Sequence, residues 1–300
     1  MLNIKKKENL AKYSTYGIGG PAKELVEVFS QQELVRAIKH AVSSGMPYKL
    51  IGNGSNILFS DKGYKGLIIK NKIKELEFFK DAKGQTMVKA GSGMQLQKLI
   101  VQLLAESYVG MHWFSYIPAT VGGAVYMNAK YSDHSIADFF VKGAVLTDKL
   151  TSKNYLKRDF AFSYDHSRLQ DNKEYLLSAV FRLEKGRPDL ARIQMKEIAR
   201  KRAIYSFRSA GCVWRNLEPN KAKKQGLPSH AVSYLVDKVL GLKGKQIGDA
   251  RISRQHAAFI ENIGKAKAED VKALIDLVGQ EASQKLGVKL DLEIELVGFD

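Results

Sequence analysis

The sequence predicts an α+β protein built from more than one subdomain, and two observations predict this class. Short apolar stretches typical of β-strands recur between segments whose apolar residues follow helical spacing. The chain has 300 residues, which is more than a single compact core usually holds. We therefore expect two or three subdomains, each combining strands with amphipathic helices.

The first segment, residues 1–70, is predicted to alternate between strands and a helix. "KELVEVF" predicts a strand, and Ser30 followed by Glu33 is the signature of a helix capping box. The helix after it has one apolar face, formed by Leu34, Val35, Ile38, Ala41 and Val42. Gly45 and Pro47 end that helix, and "YKLIG" and "GLIIK" predict two short buried strands.

The second segment, residues 71–186, is predicted to place one helix between strands. "TMVKAG" and "LLSAVFRLE" have strand patterns. Between them, helical spacing is followed by Leu96, Leu99, Ile100, Leu103 and Leu104. Gly186 and Pro188 interrupt the strand pattern, so we expect residues 187–204 to form a basic linker helix.

The third segment, residues 205–300, is predicted to form a C-terminal α/β domain. "SYLVDKVLGLKG" predicts a helix that Gly241 closes. "EDVKALIDLVGQEA" predicts a second helix with an apolar face of Val271, Leu274, Ile275 and Val278. The chain finishes with "KLDLEIELVGF", whose alternation predicts a strand.

Composition excludes several classes of protein. Hydrophobic residues make up 45% and charged residues 26%, which is ordinary for a globular enzyme. One cysteine excludes an intramolecular disulfide and fits a reducing cytoplasm, where we expect a monomer. The N-terminus lacks the apolar core of a secretory signal, and no window approaches the apolar length of a membrane span. We predict no metal site.

The net charge of +17 indicates attraction to anions in general. The lysines are spread along the chain, with short clusters only at "IKKKEN" and "NKAKKQG". Neither the aromatic pattern of an RNA-binding sheet nor a DNA recognition helix is present in the sequence. We therefore expect anionic small molecules as partners and no specific nucleic acid.

Three glycine-rich stretches are candidates for binding a nucleotide. "YGIGGPA" loosely fits G-x-G-x-x-A, but no apolar strand precedes it, so the dinucleotide-binding context is missing. "IGNGSN" leaves a predicted strand, and its backbone N–H groups and polar side chains suit a phosphate. A plain turn remains the alternative there. In "IPATVGGAVYMNA" the paired glycines suit contact with a flat ligand, and a tight bend explains them nearly as well.

Six segments taken together resemble the UDP-N-acetylenolpyruvoylglucosamine reductase family, in the right order along nearly the whole chain. They are "STYGIGGPA", "IGNGSNILFSDKGYKGLII", "IPATVGGAVYMNA", "SAGCVWRN", "LVDKVLGLKGKQIGDARISRQHAAFIEN" and "LDLEIELVG". The resemblance implies two FAD-binding subdomains of the vanillyl-alcohol-oxidase (PCMH) type, followed by a substrate-binding domain. It is closest to the family's shorter subtype, which lacks an additional substrate loop.

The resemblance also implies an activity, its cofactors and its binding residues. The family uses NADPH and FAD to reduce UDP-N-acetylglucosamine enolpyruvate to UDP-N-acetylmuramate, a step in peptidoglycan precursor synthesis. The implied FAD-binding positions are Gly52, Asn53, Gly54, Ser55, Asn56, Pro118, Thr120, Gly122 and Gly123. The implied substrate-binding residues are Asn216 and Lys243, although a solvated lysine beside a helix C-terminus is an equal alternative for Lys243.

The implied proton donor is Cys212, which stands where the family has a serine. A lone cysteine is more often a small apolar core residue, so the resemblance alone favours the catalytic role. A thiol is a stronger acid than an alcohol, which keeps proton donation chemically reasonable. Glu293 is the implied second catalytic group, but Asp291 and Glu295 share its face of the predicted strand, so spacing cannot select it.

The chain departs from the family pattern around the implied active site. Asp165 stands where the family has a catalytic arginine, so either Arg168 or His166 takes over that role, or activity is reduced or altered. Glycines of the family are replaced by Tyr116, Ala119 and Lys130, and a glutamine-proline pair is replaced by Ala203 and Ile204. A divergent protein that binds FAD or a UDP-sugar with reduced or altered activity is therefore the alternative interpretation.

Overall fold

The computed structural model describes residues 2–203 and 208–299. Its strands are β1 (Ile4–Asn9), β2 (Pro21–Val28), β3 (Tyr48–Ile51), β4 (Ile57–Phe59), β5 (Tyr64–Asn71), β6 (Leu76–Lys80), β7 (Thr86–Gly91), β8 (Tyr108–Val109), β9 (Lys130–Tyr131), β10 (His134–Ser135), β11 (Phe140–Leu146), β12 (Ser152–Leu156), β13 (Tyr175–Arg182), β14 (Glu184–Lys185), β15 (Gln246–Ile247), β16 (Ala250–Ile252), β17 (Ile260–Asn262) and β18 (Glu295–Val297). Its α-helices are α1 (Gln31–Ser43), α2 (Leu96–Ala105), α3 (Val121–Tyr126), α4 (Ile136–Phe139), α5 (Pro188–Arg202), α6 (Pro219–Lys224), α7 (Val232–Tyr234) and α8 (Ala268–Leu286).

These elements form two compact units, each made of separate stretches of chain. The first contains residues up to 5, residues 24–53 and residues 66–203. The second contains residues 6–23, residues 54–65 and the described residues beyond 207. The sequence-based division at residues 70, 186 and 204 stays a prediction, and Ile204 lies outside the described residues.

The four-stranded sheet has the order β1-β2-β5-β3, with β3 and β5 parallel. Helix α1 begins at the predicted N-cap, because the Ser30 hydroxyl accepts the Glu33 N–H at 3.2 Å. The Glu33 carboxylate accepts the Phe29 N–H at 2.7 Å, one residue before the N-cap, so the predicted capping box is present in a shifted form. Its buried face is Leu34, Ala37, Ile38 and Ala41. The prediction that Val42 belongs to this face is wrong: Val42 is 64% exposed, because it lies about 40° around the helix beyond Ile38, outside the edge of that stripe.

The five-stranded antiparallel sheet of the first unit has the order β12-β11-β13-β7-β6. Helix α2 packs on it with all five predicted apolar residues buried, which confirms the helical spacing. Phe140 of β11 packs edge-on against Phe160 and Phe181, with ring centroids 4.5 and 6.1 Å away. Each fully buried leucine or phenylalanine contributes about 1.5–3 kcal/mol, so this cluster is the main stabilising core of the unit.

Helix α5 packs within the first unit along its length. Pro188 occupies its first turn, where proline's missing N–H costs nothing. Its Gln194 Oε1 lies 2.8 Å from His112 Nε2, and Arg202 donates to the Tyr116 carbonyl at 2.8 Å. Burial lowers the pKa of His112, with Gln194 opposing part of that effect.

The second unit has a core of its own around the buried Trp214. Helix α8 buries the four residues that the sequence predicted for its apolar face, which confirms that pattern. The predicted "SYLVDKVLGLKG" helix is α7 followed by a π-helical turn, Leu235–Val239, and the chain turns at Gly241 with φ +67°. The predicted final strand is regular only in β18, which pairs parallel with β4.

Among the residues that the structure describes, no helix combines the length and apolar character needed to cross a membrane.

Candidate active site and cofactor-binding segments

Gly52 and Asn53 of the "IGNGSN" stretch lie against the "IPATVGG" segment in the first unit. The Asn53 side-chain amide donates to the Pro118 carbonyl at 3.1 Å. A Cβ atom on Gly52 would lie 2.6 Å from Thr120 Oγ1, so this close approach requires glycine. The ammonium of Lys70, a buried residue of β5, donates to the Gly52 carbonyl. The structure thus brings together two segments that the sequence assigned to FAD separately.

The paired glycines of the "IPATVGG" segment have different surroundings. Thr120 caps helix α3, since its hydroxyl accepts the Gly123 N–H at 3.2 Å. Gly122 donates to the Ser92 carbonyl at 2.7 Å, and a Cβ on Gly122 would lie 3.0 Å from that oxygen. A Cβ on Gly123 would meet only Thr120 Oγ1, at 3.6 Å. Protein packing therefore leaves an open surface at Gly123, which fits a flat cofactor resting on the backbone.

The remaining loop residues belong to the second unit. A Cβ on Gly54 would lie 1.9 Å from the Tyr13 carbonyl oxygen, and its φ is +67°, so this glycine is required by packing. The Asn56 amide donates to the Glu293 carbonyl at 2.9 Å, and the Asn56 carbonyl accepts the Glu295 N–H at 2.9 Å. Ser55 is half-buried between them. Asn56 therefore ties the loop to the segment that carries the predicted acid and leads into β18.

The "YGIGGPA" stretch packs against the segment that precedes Cys212. Thr15 Oγ1 donates to the Ser209 carbonyl at 2.6 Å, and Asn262 donates to the Tyr16 carbonyl at 2.9 Å. A Cβ on Gly20 would lie 2.1 Å from the Asp61 carbonyl oxygen. Close packing within the second unit thus accounts for this glycine spacing, in keeping with its weak match to a dinucleotide-binding motif.

Hydrogen bonds from two other segments hold the Cys212 segment beside Glu293. Val213 donates its N–H to the Ala258 carbonyl at 2.8 Å, and Glu293 donates its N–H to the Val213 carbonyl at 2.8 Å. Cys212 itself forms an isolated antiparallel bridge with Phe259. Cys212 is half-buried whereas its neighbours Val213 and Trp214 are fully buried, so the neighbours provide the core packing.

The two predicted substrate-binding residues have structural contacts. The Asn216 side-chain oxygen accepts the Val232 N–H at 3.0 Å, at the start of helix α7. Lys243 Nζ lies 2.9 Å from Asp237 Oδ2, and this bond holds the pKa of Asp237 below its ordinary value. Their roles toward a substrate stay predictions. The ion pair of Lys243 is the arrangement expected of a surface lysine near a helix end.

The loop that carries Asp165 is fastened to the end of helix α3. Asn128 donates to the Ser163 carbonyl at 2.8 Å, and Ser167 donates to the Tyr126 carbonyl at 2.8 Å. Gln170 donates to the carbonyls of both Tyr126 and Asp165, at 2.8 and 3.0 Å. Asp165 has φ +48°, a left-handed conformation that aspartate tolerates better than most residues. No pattern in the sequence marks Asn128 or Gln170 as anchors of this loop.

Both cations proposed to replace the family's arginine are held by carboxylates in the same loop region. Arg168 Nε lies 2.9 Å from Glu174 Oε2, and its Nη1 donates to the Asp159 carbonyl at 3.1 Å. Its guanidinium also lies 4.4 Å from the centre of the Tyr155 ring. His166 Nε2 lies 3.0 Å from Asp171 Oδ1. These contacts describe structural ion pairs, and a catalytic role for Arg168 stays a prediction.

One of the replaced glycine positions, Tyr116, is visible in the backbone. Tyr116 has φ +70°, the left-handed region that a glycine adopts without strain, and its side chain is exposed. The Arg202 contact with the Tyr116 carbonyl holds that conformation. Lys130, at the start of β9, is exposed. The backbone thus retains the conformation of a glycine position where this chain has tyrosine.

Substituting Gly54 or Gly123 with alanine should have opposite effects. Gly54→Ala should lower the free energy of unfolding by about 3 kcal/mol, because the new methyl group collides with Tyr13 and is strained at positive φ. Gly123→Ala should leave it unchanged or raise it by up to about 1 kcal/mol, since alanine favours a helix. Denaturant unfolding of the cofactor-free proteins measures the stability of both variants. The Gly123→Ala protein should fold normally and bind FAD more weakly than wild type in an FAD titration. Unchanged FAD affinity in that variant contradicts the assignment of Gly123.

Substituting Arg168 with alanine should reduce stability. Glu174 is only 9% exposed, so removing its partner leaves a nearly buried carboxylate without its counter-charge. We expect a loss of about 2–3 kcal/mol in the free energy of unfolding. Arg158→Ala is the matched control, because its 3.8 Å contact with Asp159 is solvent-exposed and should be worth less than about 0.5 kcal/mol. Full stability with loss of turnover in Arg168→Ala instead supports the catalytic role.

Comparison with known proteins relates the whole chain to one family. Residues 203–297 match the profile of the UDP-N-acetylenolpyruvoylglucosamine reductase C-terminal domain, and residues 22–147 match an FAD binding domain. The UDP-N-acetylenolpyruvoylglucosamine reductases of Chlamydia felis and Caldicellulosiruptor saccharolyticus are 35% and 36% identical to this chain, covering 97% and 99% of it and 93% of each relative. The crystal structure of UDP-N-acetylenolpyruvylglucosamine reductase from Thermus caldophilus matches with a TM-score of 0.79 at 31% identity, covering 99% of this chain and all of that one.

These matches confirm the predicted α+β fold class, with an FAD binding domain followed by the C-terminal domain of the reductase family. Because relatives above 30% identity cover nearly the full length, the chain belongs to the UDP-N-acetylenolpyruvoylglucosamine reductase family.

Proposed function

We propose that this chain reduces UDP-N-acetylglucosamine enolpyruvate to UDP-N-acetylmuramate with NADPH as the reductant and FAD as the cofactor. Membership of the reductase family over nearly the whole chain supports this activity. One observation in the structure carries the proposal: the Glu293–Val213 backbone hydrogen bond joins the two segments to which the family resemblance assigns catalysis. The product is a precursor of peptidoglycan.

The residues of the first unit fit the flavin. Bound FAD would supply the hydride-transfer chemistry between NADPH and the enolpyruvyl group. Gly52 and Asn53, with Pro118, Thr120 and the open backbone at Gly123, would hold it in that unit. In the second unit, the family assignment adds Gly54, Ser55 and Asn56. The chain's own contribution to chemistry is therefore to bind the cofactor, orient the substrate and move one proton.

Cys212 supplies that proton in this proposal. Addition of hydride at one carbon of the enolpyruvyl double bond leaves negative charge on the neighbouring carbon and its carboxylate. The Cys212 thiol gives its S–H proton to that neighbouring carbon, and the thiolate left behind is reprotonated from water. A thiol with an ordinary pKa near 8.5 is largely protonated at neutral pH and is a better donor than serine's alcohol. Glu293 assists by holding the reacting group or the proton near it.

The site of action and the assembly state complete the proposal. A chain with a single cysteine suits the reducing cytoplasm, where the nucleotide substrates of the reaction are found, and we propose that it acts there as a monomer. Substrate, NADPH and FAD are all anions, so the net positive charge favours their approach without a nucleic-acid partner.

Substitution of Cys212 tests the proton donor. Cys212→Ala should lower substrate-dependent NADPH oxidation by about a hundredfold to ten-thousandfold, because no acid replaces the thiol. Reduction of bound FAD by NADPH alone, measured as bleaching of the flavin absorbance, should proceed at nearly the wild-type rate. Cys212→Ser is the matched control and should retain much of the activity, because it restores the family's own donor. Wild-type turnover in both variants contradicts the assignment of Cys212.

A second candidate function is a family member that binds FAD or the UDP-sugar with reduced or altered turnover. A specific observation favours it: Asp165 replaces the arginine, and the cations nearest in sequence, His166 and Arg168, are each paired with a carboxylate. A carboxylate repels the substrate carboxylate that a guanidinium would bind. Weak substrate-dependent oxidation of NADPH by a protein that binds FAD normally distinguishes this candidate from the first.

Substitution of Asp165 tests that candidate. Asp165→Arg should raise substrate-dependent turnover, because it restores a cation at the family's position. The φ of +48° costs arginine about 1 kcal/mol more than aspartate, so the variant's melting temperature must be measured beside its rate. Asp165→Asn is the control, since asparagine removes the charge and tolerates the same backbone. A fall in rate for Asp165→Arg contradicts the weakened-site interpretation and indicates that Asp165 has a new role.

A further inference from the structure

A lysine is buried beneath the first residues of the predicted FAD loop. Lys70 lies near the end of β5, after three fully buried residues, Leu67, Ile68 and Ile69, and is itself only 8% exposed. Its register partner on β3 is Ile51, the residue that precedes the loop. Its ammonium donates to the Gly52 carbonyl. Lys70 therefore contacts the loop from the protein interior.

This ammonium has no carboxylate partner within the described part of the chain. Glu27 is paired with Lys72 instead, at 3.7 Å. An ammonium has three N–H donors, and the Gly52 carbonyl is its one hydrogen-bond partner among the described residues. The pKa of Lys70 is lowered to about 8. Burial is the main cause, the charge of Lys72 acts in the same direction, and Glu27 opposes both. A buried cation of this kind is costly unless an anion compensates it.

The contact with Gly52 also fixes the direction of the loop backbone. All peptide bonds in the described residues are trans, so the Gly52 carbonyl and the Asn53 N–H belong to one planar group and point in opposite directions. The Lys70 bond draws the carbonyl inward, which turns the Asn53 N–H toward the opposite face of the loop. Backbone N–H groups on a glycine loop are the usual donors to a phosphate.

We propose that Lys70 is a positioning residue for the flavin nucleotide: it orients the Gly52–Asn53 peptide and supplies the counter-charge for the pyrophosphate bound at that loop. The inference rests on the proposed function, since it takes FAD as the ligand. The pyrophosphate compensates the buried ammonium, and the ammonium in turn strengthens the binding of the pyrophosphate. Lys70 contributes to affinity for FAD at the expense of the stability of the cofactor-free protein.

This assignment predicts effects of opposite sign for Lys70→Met. Replacing a buried, uncompensated ammonium with an apolar side chain of similar length should leave the melting temperature of the cofactor-free protein unchanged or higher at pH 7. The same change should weaken FAD binding about tenfold to a hundredfold, as expected for loss of a hydrogen bond from a charged group. Lys70→Gln keeps an N–H donor without the charge, so its affinity for FAD should lie between those of wild type and Lys70→Met. A residue with a merely structural role lowers both stability and affinity.

The affinity for FAD should also depend on pH through this group. Lys72 and Glu27 are the charged groups nearest to it, and their mutual pair remains in every variant of Lys70. In the cofactor-free protein Lys70 loses its proton near pH 8, while in the unfolded chain it does so near 10.5. Between those values the unfolded state binds more protons, so wild-type stability rises with pH relative to Lys70→Met. FAD requires the ammonium, so wild-type affinity should fall above about pH 8 and that of Lys70→Met should not.

The experiment titrates FAD into cofactor-free wild type, Lys70→Met, Lys70→Gln and Lys72→Met, following quenching of flavin fluorescence and thermal unfolding from roughly pH 7 to 9.5. Lys72→Met is the matched control, because it removes a half-exposed lysine from the same region and should alter affinity less than about threefold. The proposal is overturned if Lys70→Met and Lys72→Met lose the same FAD affinity, or if both Lys70 variants keep wild-type affinity. It is also overturned if each loss of affinity is accompanied by an equal loss of stability. Failure of the wild type to bind FAD overturns the proposed function itself, whereas normal binding by wild type and by the Lys70 variants overturns only the role of Lys70.

Discussion

The second unit depends on a segment that has no regular strand of its own. Residues 212–215 are held by hydrogen bonds from Val213 to Ala258, from Glu293 to Val213 and from Arg215 to Asp291. Asn56 extends this arrangement by bonding to the backbone on both sides of Ile294. Each bond satisfies a backbone group that would otherwise be buried without a partner, so the segments are mutually dependent. This constraint explains how groups far apart in the sequence, Cys212 and Glu293, come to lie on neighbouring segments.

The glycines illustrate why a motif and its function are separate questions. Gly20 and Gly54 leave no room for a methyl group because a carbonyl oxygen lies about where Cβ would be, so packing alone explains them. Gly123 has room for a methyl group, so packing does not explain it, and contact with FAD is the reason that the proposed function offers. The sequence presents all three as members of similar glycine-rich stretches. Only the neighbouring atoms distinguish a glycine that the fold requires from one that packing leaves free for the proposed contact with FAD.

The periodicity of apolar residues predicted the helix faces and helix starts, which depend on interactions between residues close in the sequence. The buried faces of α2 and α8 and the capping box of α1 follow from residues within a few positions of each other. The predicted final strand was too long because the chain pairs over consecutive residues only in β18, whereas before it Leu292 makes just an isolated bridge with Trp214; both pairings depend on distant segments. The sequence shows that Arg168 and His166 are the cations next to Asp165, but it does not show their ion pairs. Their carboxylate partners, Glu174 and Asp171, are recognisable only once the loop is folded. Lys70 was missed because "GLIIK" predicted a buried strand, and a lysine at its end gave no sign of being buried with it.

The distribution of charge matters more to this protein than its total. A surplus of +17 attracts any polyanion to the surface, where solvent and salt weaken each contact. Several basic side chains in both units are paired with carboxylates, among them Arg168, Lys243 and Lys72. Lys70 differs because its charge is buried and lacks such a partner among the described residues. Electrostatic attraction strengthens as the effective dielectric falls, so one buried ammonium beside the loop can select for a bound pyrophosphate where many solvated lysines cannot. Selectivity for the cofactor is therefore better explained by this single placement than by the net charge.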